Sequence, residues 1–214
     1  MSPGRLARSV LGDRYARVAG RLYRSIFVDM AKASAAIATE LPANAHVLDV
    51  GGGDGEPLNW LLQLRTDVHV TTIDVAPGVG RWICARHIDR VTRIDSMSLQ
   101  AYLHSGRPLP DVLLLMDVVH HVPVAARDGF LTVVADALQR VPRLRIIVKD
   151  VEPGHWRATA GRLSDRYITG DHGVRLIARS ELIDAMRRAC GSIRHHETRL
   201  LSMDPPNYAV VFQR

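Results

Sequence analysis

A chain of 214 residues with 47% hydrophobic and 23% charged residues has an ordinary globular composition, long enough for one well-formed core and short for two. Its two cysteines, Cys84 and Cys190, exclude a disulfide framework or a cysteine-rich zinc site, and no apolar run approaches the roughly 20 residues a membrane helix needs. The net charge of +6 rests almost wholly on arginine, since Lys32 and Lys149 are the only lysines; such a skew suits phosphate or carboxylate ligands but also arises from genomic base composition.

From Arg5 to about Leu41 the apolar residues recur at three- and four-residue steps between arginines, which predicts helix, and Pro42 closes that region. The arginines spread through this stretch are unlike the basic start and apolar centre of a signal peptide, so a cytoplasmic protein is expected. Strand-length apolar runs follow at His46 to Val50, Val68 to Asp74, Val91 to Asp95, Asp111 to Asp117 and Leu144 to Lys149, with helical stretches between them. That alternation implies a parallel sheet, and the lack of strict apolar–polar alternation implies helices on both of its faces. A helix from Ser180 to Ala189, a strand from Ser192 to Leu201 and a last strand from Tyr208 to Phe212 complete the chain. The last two strands, joined across Pro205 and Pro206, are expected to be antiparallel. The fold class is therefore α/β, a doubly wound Rossmann-like sheet, with residues 1–41 as a helical extension or lid and residues 42–214 as the binding domain.

In such a sheet the ligand sits beyond the carboxyl ends of the strands, so the residues that follow each strand carry the functional signal. The first strand runs into Asp49-Val50-Gly51-Gly52-Gly53-Asp54-Gly55-Glu56. Glycines admit a ligand close to the main chain, and the following helix start offers N–H groups. The dinucleotide fingerprint would need glycine where Glu56 stands, and Asp49 and Glu56 make the loop acidic, which suits a ligand with positive charge better than a pyrophosphate. Asp74 follows the second strand about 20 residues on, where a carboxylate can accept both hydroxyls of a ribose. Asp95 and Ser96 follow the third, where an acid can accept from an exocyclic amine. Each acid alone is an ordinary cap or turn residue. Three in register after three successive strands point to a ligand.

The runs VLDVGGGDG, TTIDVAP, RIDSMS and DVLLLMDVVHHVP together resemble the class I S-adenosylmethionine-dependent methyltransferases, over about residues 45 to 150. The resemblance implies a seven-stranded sheet with an antiparallel last strand, and S-adenosyl-L-methionine as methyl donor. It places Gly51 and Gly53 under the methionine part, Asp49 near its ammonium, Asp74 on the ribose, Asp95 and Ser96 on the adenine, and Met116 and Asp117 on the sulfonium side. A donor that carries a sulfonium and an ammonium agrees with the acidity of the loop.

After the fourth strand, His120 and His121 lie within reach of a methyl group held over the preceding loops. An imidazole, with its ordinary pKa of ~6.5, suits the deprotonation of a hydroxyl. The segment resembles plant-type small-molecule O-methyltransferases in spacing, which implies His121 as base, although Val122-Pro123 stands where those enzymes carry Asp-Trp. His121 is the first candidate, His120 the second, and a packing or capping role for both is the plain structural reading. Catechol-type relatives chelate magnesium through two acids and an Asn. Asp117 and Asp150 match the acids but Val151 replaces the Asn, so no metal is expected.

The polar stretch beyond the fifth strand carries His155, Trp156, Arg157, Asp165 and Tyr167 and is the expected acceptor-binding segment, with a solvated helix as its plain alternative. The favoured function is O-methylation of a small-molecule acceptor, a lipid, polyketide, aromatic or sugar intermediate. An anionic acceptor, or one held on an acidic carrier protein, is compatible with the net charge, and a homodimer is left open. A nucleic-acid methyltransferase is disfavoured because the chain lacks the Asp/Asn-Pro-Pro-Tyr/Phe tetrad after the fourth strand and a basic patch interleaved with aromatics. A non-catalytic partner protein of the same fold is the third reading, and the intact donor loop argues against it.

Overall fold

The computed structural model describes residues 30–154, 174–198 and 206–214. In chain order the elements are α1 (Met30–Glu40), β1 (His46–Val50), α2 (Glu56–Leu64), β2 (His69–Ile73), β3 (Val91–Ile94), α3 (Leu99–His104), β4 (Val112–Met116), α4 (Val124–Arg140), β5 (Arg145–Val151), α5 (Arg179–Cys190), β6 (Arg194–Glu197) and β7 (Asn207–Gln213). Short 3-10 turns at Ala85–Arg90 and Val119–His121 precede β3 and α4. The strands form one seven-stranded sheet in the order β3-β2-β1-β4-β5-β7-β6. The first five are parallel, while β7 runs antiparallel to both β5 and β6. Strand order reverses between β1 and β4, which places the ligand crevice at their carboxyl ends.

The predicted strands all form, with ends shifted by one or two residues. The exception is β6, which spans Arg194–Glu197; residues 199–201 of its predicted span lie outside the described residues. Of the predicted amino-terminal helix, α1 is the described part; residues 1–29, and with them most of the expected lid, lie outside the described residues.

Each strand deals its side chains alternately to two helical layers. Leu48, Val50, Leu113, Leu115, Ile146, Val148, Val210 and Phe212 face α3, α4 and α5, where they meet Leu131, Val134, Leu138, Leu182 and Met186. Val47, Val70, Leu114, Ile147 and Val211 face α1 and α2, against Ile37, Leu41, Leu58, Leu61 and Leu62. Nearly all are fully buried, and each contributes about 1.5–3 kcal/mol on removal from water. The layers explain why the central strands β1, β4, β5 and β7 are apolar along most of their length: both of their faces are covered, whereas β3 and β6 at the edges carry exposed residues.

Several arginines bind main-chain carbonyls where helices end. Arg65 Nη1 donates to the carbonyls of Ala38 and Leu41 at 2.9 and 2.7 Å, and its Nη2 to Pro42 at 2.7 Å, closing the end of α1. The same guanidinium is held by both oxygens of Asp67 at 2.8 and 2.7 Å. Arg90 reaches the carbonyls of Leu62 and Arg65 after α2, Arg140 that of Leu103 in α3, and Arg145 that of Glu40 in α1. The last carbonyls of a helix have no partner within it and carry partial negative charge, so a forked cation satisfies them better than an ammonium does.

Candidate active site

The loop between β1 and α2 is packed from below and open above. Gly51 and Gly52 donate to the Ile73 carbonyl of β2 at 2.8 and 3.2 Å. A Cβ on Gly52 would lie 1.9 Å from Thr72 Oγ1 and 2.3 Å from Asp49 Oδ2, so glycine is required there. At Gly53, with φ +52°, a Cβ would meet nothing nearer than the Gly51 carbonyl oxygen at 4.0 Å. That open direction over a left-handed backbone is what a ligand lying on the main chain needs.

Beneath the loop, Asp49 pairs with Thr72 across β1 and β2 and accepts from its hydroxyl at 2.7 Å. Asp49 is 2% exposed. Burial, opposed by the Thr72 hydrogen bond and assisted by the charge of Asp74, pushes its carboxyl up to about 7. A buried carboxyl so reluctant to ionise is poised to respond to a cation above it.

Asp74 and Asp95 shape the neighbouring turns. Asp74 accepts from Gly53 N at 3.0 Å and from Ala76 N at 2.8 Å, tying the glycine loop to the segment after β2. Asp95 accepts from Val79 N at 2.7 Å. Ser96 takes a left-handed backbone with φ 53° and is exposed, at the end of β3. The structure thus brings Asp49, Gly51, Gly53, Asp74, Asp95 and Ser96 to the carboxyl ends of three adjacent strands. Met116 and Asp117 join them at the end of β4, and the Val118 side chain lies 2.9 Å from the position of a Cβ on Gly51.

The end of β5 supplies two charges to opposite faces. Lys149, wholly buried, lies across from Met116 and extends its Nζ to both oxygens of Asp117, at 2.6 and 2.8 Å. Asp117 holds φ 59°, an uncommon backbone for a residue other than glycine, and donates its N–H to the Lys149 carbonyl at 2.9 Å. Asp150, also fully buried, accepts from His120 Nδ1 at 2.6 Å and from the His120 backbone N–H at 3.3 Å. His120 is buried on the 3-10 turn, and its carbonyl accepts from Arg175 N at 3.0 Å. His121 is exposed, with its ring 4.3 Å from that of His120. Burial by itself lowers the pKa of His120, but the charge and hydrogen bond of Asp150, with Asp117 behind them, more than offset it and hold it above the ordinary value. A buried carboxylate on Nδ1 leaves Nε2 as the atom that takes a proton, the arrangement of an oriented general base.

Asp117, His120 and Asp150 bring ligand atoms within 4.8 Å of one another. A divalent ion there would have to displace the Lys149 ammonium from Asp117 and the His120 ring from Asp150. The donor set therefore does not fit a metal while those two bonds stand.

His155, Trp156, Arg157, Asp165 and Tyr167 lie outside the described residues. Sequence reasoning missed Thr72 and Lys149 and weighed Asp150 only as a metal ligand. A lysine in an arginine-rich chain, set inside an apolar strand, was the available signal for Lys149.

Neither a family model nor a curated protein matches the sequence. Solved structures do. An O-methyltransferase family protein from Burkholderia thailandensis superposes with a TM-score of 0.63 at 18% identity, over 83% of this chain and 54% of its own. This is the methyltransferase fold. Mitomycin 7-O-methyltransferase shares that fold with a TM-score of 0.63 at 21% identity, over 94% of this chain and 58% of its own. The methyltransferase fold of the Burkholderia thailandensis 1,6-didemethyltoxoflavin-N1-methyltransferase, solved with its heterocycle and S-adenosylhomocysteine, matches with a TM-score of 0.59 at 19% identity. It is covered over 89% of its length by 99% of this chain, whereas the chain spans little more than half of the other two.

Proposed function

We propose that the protein transfers a methyl group from S-adenosyl-L-methionine to a hydroxyl oxygen of a small-molecule acceptor, without a divalent ion. The observation that carries this reading is the glycine loop whose open Gly53 is held by Asp74 while Asp49 lies buried beneath it. The bound donor supplies an electrophilic methyl carbon on a sulfonium, whose positive charge disappears as the sulfur leaves. Gly51 and Gly53 give its methionine part a close approach to the main chain, and Asp49 faces its ammonium. Asp74 binds the ribose, Asp95 and Ser96 the adenine, and Met116 and Asp117 line the sulfonium side.

His120 is the base in this proposal, ahead of His121, because Asp150 fixes its ring and raises its proton affinity. The acceptor hydroxyl gives its proton to His120 Nε2 as its oxygen forms the new bond to the methyl carbon and the carbon–sulfur bond breaks. Such a base contributes typically about 10²–10⁴-fold, and alignment of the reacting atoms supplies the rest. His155, Trp156, Arg157, Asp165 and Tyr167 are proposed to hold the acceptor. An anionic group on the acceptor, or an acidic carrier, would suit the net charge of +6. A nitrogen acceptor is the second reading, favoured by the match to an N1-methyltransferase over nearly the whole of both chains.

Calorimetric titration with S-adenosylmethionine tests the donor site. Saturable binding that weakens at least ten-fold in Asp74→Ala is expected, and no binding to the unaltered protein overturns the reading. Labelled donor offered with a panel of phenols and aza-heterocycles separates oxygen from nitrogen transfer. Steeply salt-dependent binding to RNA would instead favour a nucleic-acid acceptor.

A further inference from the structure

The turn that carries the two histidines is too short to hold itself in place. Val119–His121 is a single 3-10 turn, closed by His121 N on the Val118 carbonyl at 3.0 Å and by Val122 N on the Val119 carbonyl at 3.1 Å. Its position therefore depends on what grips it from outside. On one side, Asp150 accepts from both the ring and the backbone N–H of His120. On the other, the His120 carbonyl accepts from Arg175 N. Residue 175 belongs to a segment pinned by the burial of Val174 and Ile177 and by the Tyr208 hydroxyl, which donates to the Ile177 carbonyl at 3.0 Å.

Arg127, in the first turn of α4, ties the turn to that segment. Its Nη2 donates to the Arg175 carbonyl at 2.6 Å and reaches the carbonyl of Val122, the residue after His121, at 3.5 Å. Residue 175 is thus bonded on both sides, its N–H to the His120 carbonyl and its carbonyl to Arg127. As a purely stabilising group Arg127 is a poor choice. It is buried, its Nε has no partner among the described residues, and Glu181, the carboxylate that faces it, lies 4.0 Å away and is itself largely exposed. A cation near the amino-terminal end of a helix also opposes the helix dipole. Burying a charge without a close counterion costs stability, so an apolar chain of similar length would fill the place at lower cost. The guanidinium calls for a reason beyond packing.

We infer that Arg127 is a positioning residue: by holding the histidine turn and residue 175 together, it keeps the His120 ring on Asp150. This inference rests on the methyl-transfer reading for its effect on rate, though not for its effect on His120. The sign of that second effect is diagnostic. Asp150 and Asp117 favour the protonated ring and Lys149 opposes it; the His121 ring and the Tyr208 hydroxyl are the other titratable groups beside them, and Arg127 approaches from α4 with Glu181 next to it. Removing a nearby cation would by itself raise a histidine pKa, whereas a ring that slips off Asp150 loses the charge and hydrogen bond that raise it.

Proton NMR titration of the His120 ring in the full chain, its resonance assigned by its loss in His120→Gln, tests the inference. In Arg127→Met the His120 pKa should fall toward the ordinary histidine value. In Arg127→Lys, whose ammonium can serve one carbonyl but not both, it should fall less. With a phenol that accepts label from the donor, kcat should drop about 10–100-fold in Arg127→Met, the usual scale for a displaced catalytic group, while S-adenosylmethionine affinity in calorimetry stays unchanged. A His120 pKa that stays put or rises in Arg127→Met overturns the inference. So does a lowered urea midpoint as the sole change in both variants, which would make Arg127 a structural clamp. Should Arg127→Met fail to fold, the direction of the shift in Arg127→Lys decides alone. If the pKa falls as expected while the unaltered protein methylates no acceptor offered, the methyl-transfer reading falls and the positioning role stands.

Discussion

Asp49→Asn should make the protein more stable and a poorer binder of the donor. The Asp49 carboxyl is fully buried, and its pKa lies at about 7 instead of 3.8. Below pH ~4 both folded and unfolded chains hold the proton, and Asp49 is neutral with respect to folding. Between 3.8 and about 7 the unfolded chain ionises while the folded one does not, so stability falls as pH rises; above 7 the loss is constant. At about 1.36 kcal/mol per pH unit over that interval, the full loss is about 4 kcal/mol. An asparagine keeps an oxygen for the Thr72 hydroxyl and carries no charge, so it removes this loss. The gain of the variant over the unaltered protein should be near zero at pH 4, grow to pH 7 and then level off. Urea unfolding at pH 4, 5.5, 7 and 8 measures it. A difference that does not vary with pH would refute the claim that desolvation governs Asp49. Weaker S-adenosylmethionine binding by the same variant would identify the buried charge as one retained for function at the expense of stability.

The remaining predictions concern the base, the metal and the arginine clamps. The rate should rise with pH through a pKa above the ordinary histidine value; in Asp150→Asn that pKa should fall, because the charge and hydrogen bond that raise it are gone. His120→Ala should lower kcat about 10²–10⁴-fold with little change in donor affinity, while His121→Ala keeps most turnover; the reverse pattern would restore His121 as the base. Activity should be unchanged by EDTA and by added magnesium, and a loss on chelation would show that a metal displaces Lys149. Arg65→Lys should lower stability by about 2 kcal/mol in urea unfolding. An ammonium cannot serve the carbonyls of Ala38, Leu41 and Pro42 and both Asp67 oxygens together, and each lost bond is worth about 0.5–1.5 kcal/mol.

The sheet and the glycine loop were legible because their signals are local. A strand buried on both faces writes itself as a run such as Val112 to Met116, and a glycine loop followed by acids after successive strands needs no tertiary knowledge to be noticed. The different surroundings of the two histidines were not legible. His120 and His121 are chemically identical neighbours, and what separates them is Asp150, thirty residues on and brought close only by the β4–β5 pairing. Lys149 was hidden for the same reason: its partner Asp117 belongs to another strand end. Arg127 drew no attention because single arginines are common in this chain, and only its burial and its bond to the Arg175 carbonyl set it apart.

Arg65, Arg90, Arg140 and Arg145 give a different meaning to an isoelectric point near 9.9. A guanidinium gripped by carbonyl oxygens still counts in a titration curve and on an ion-exchange column, yet its donors are turned toward the chain's own helix ends. For these residues basicity is a by-product of how the helices are tied off. The protein should elute as a strongly basic one while holding polyanions such as heparin less firmly than its charge suggests: the cations keep their charge but not their reach.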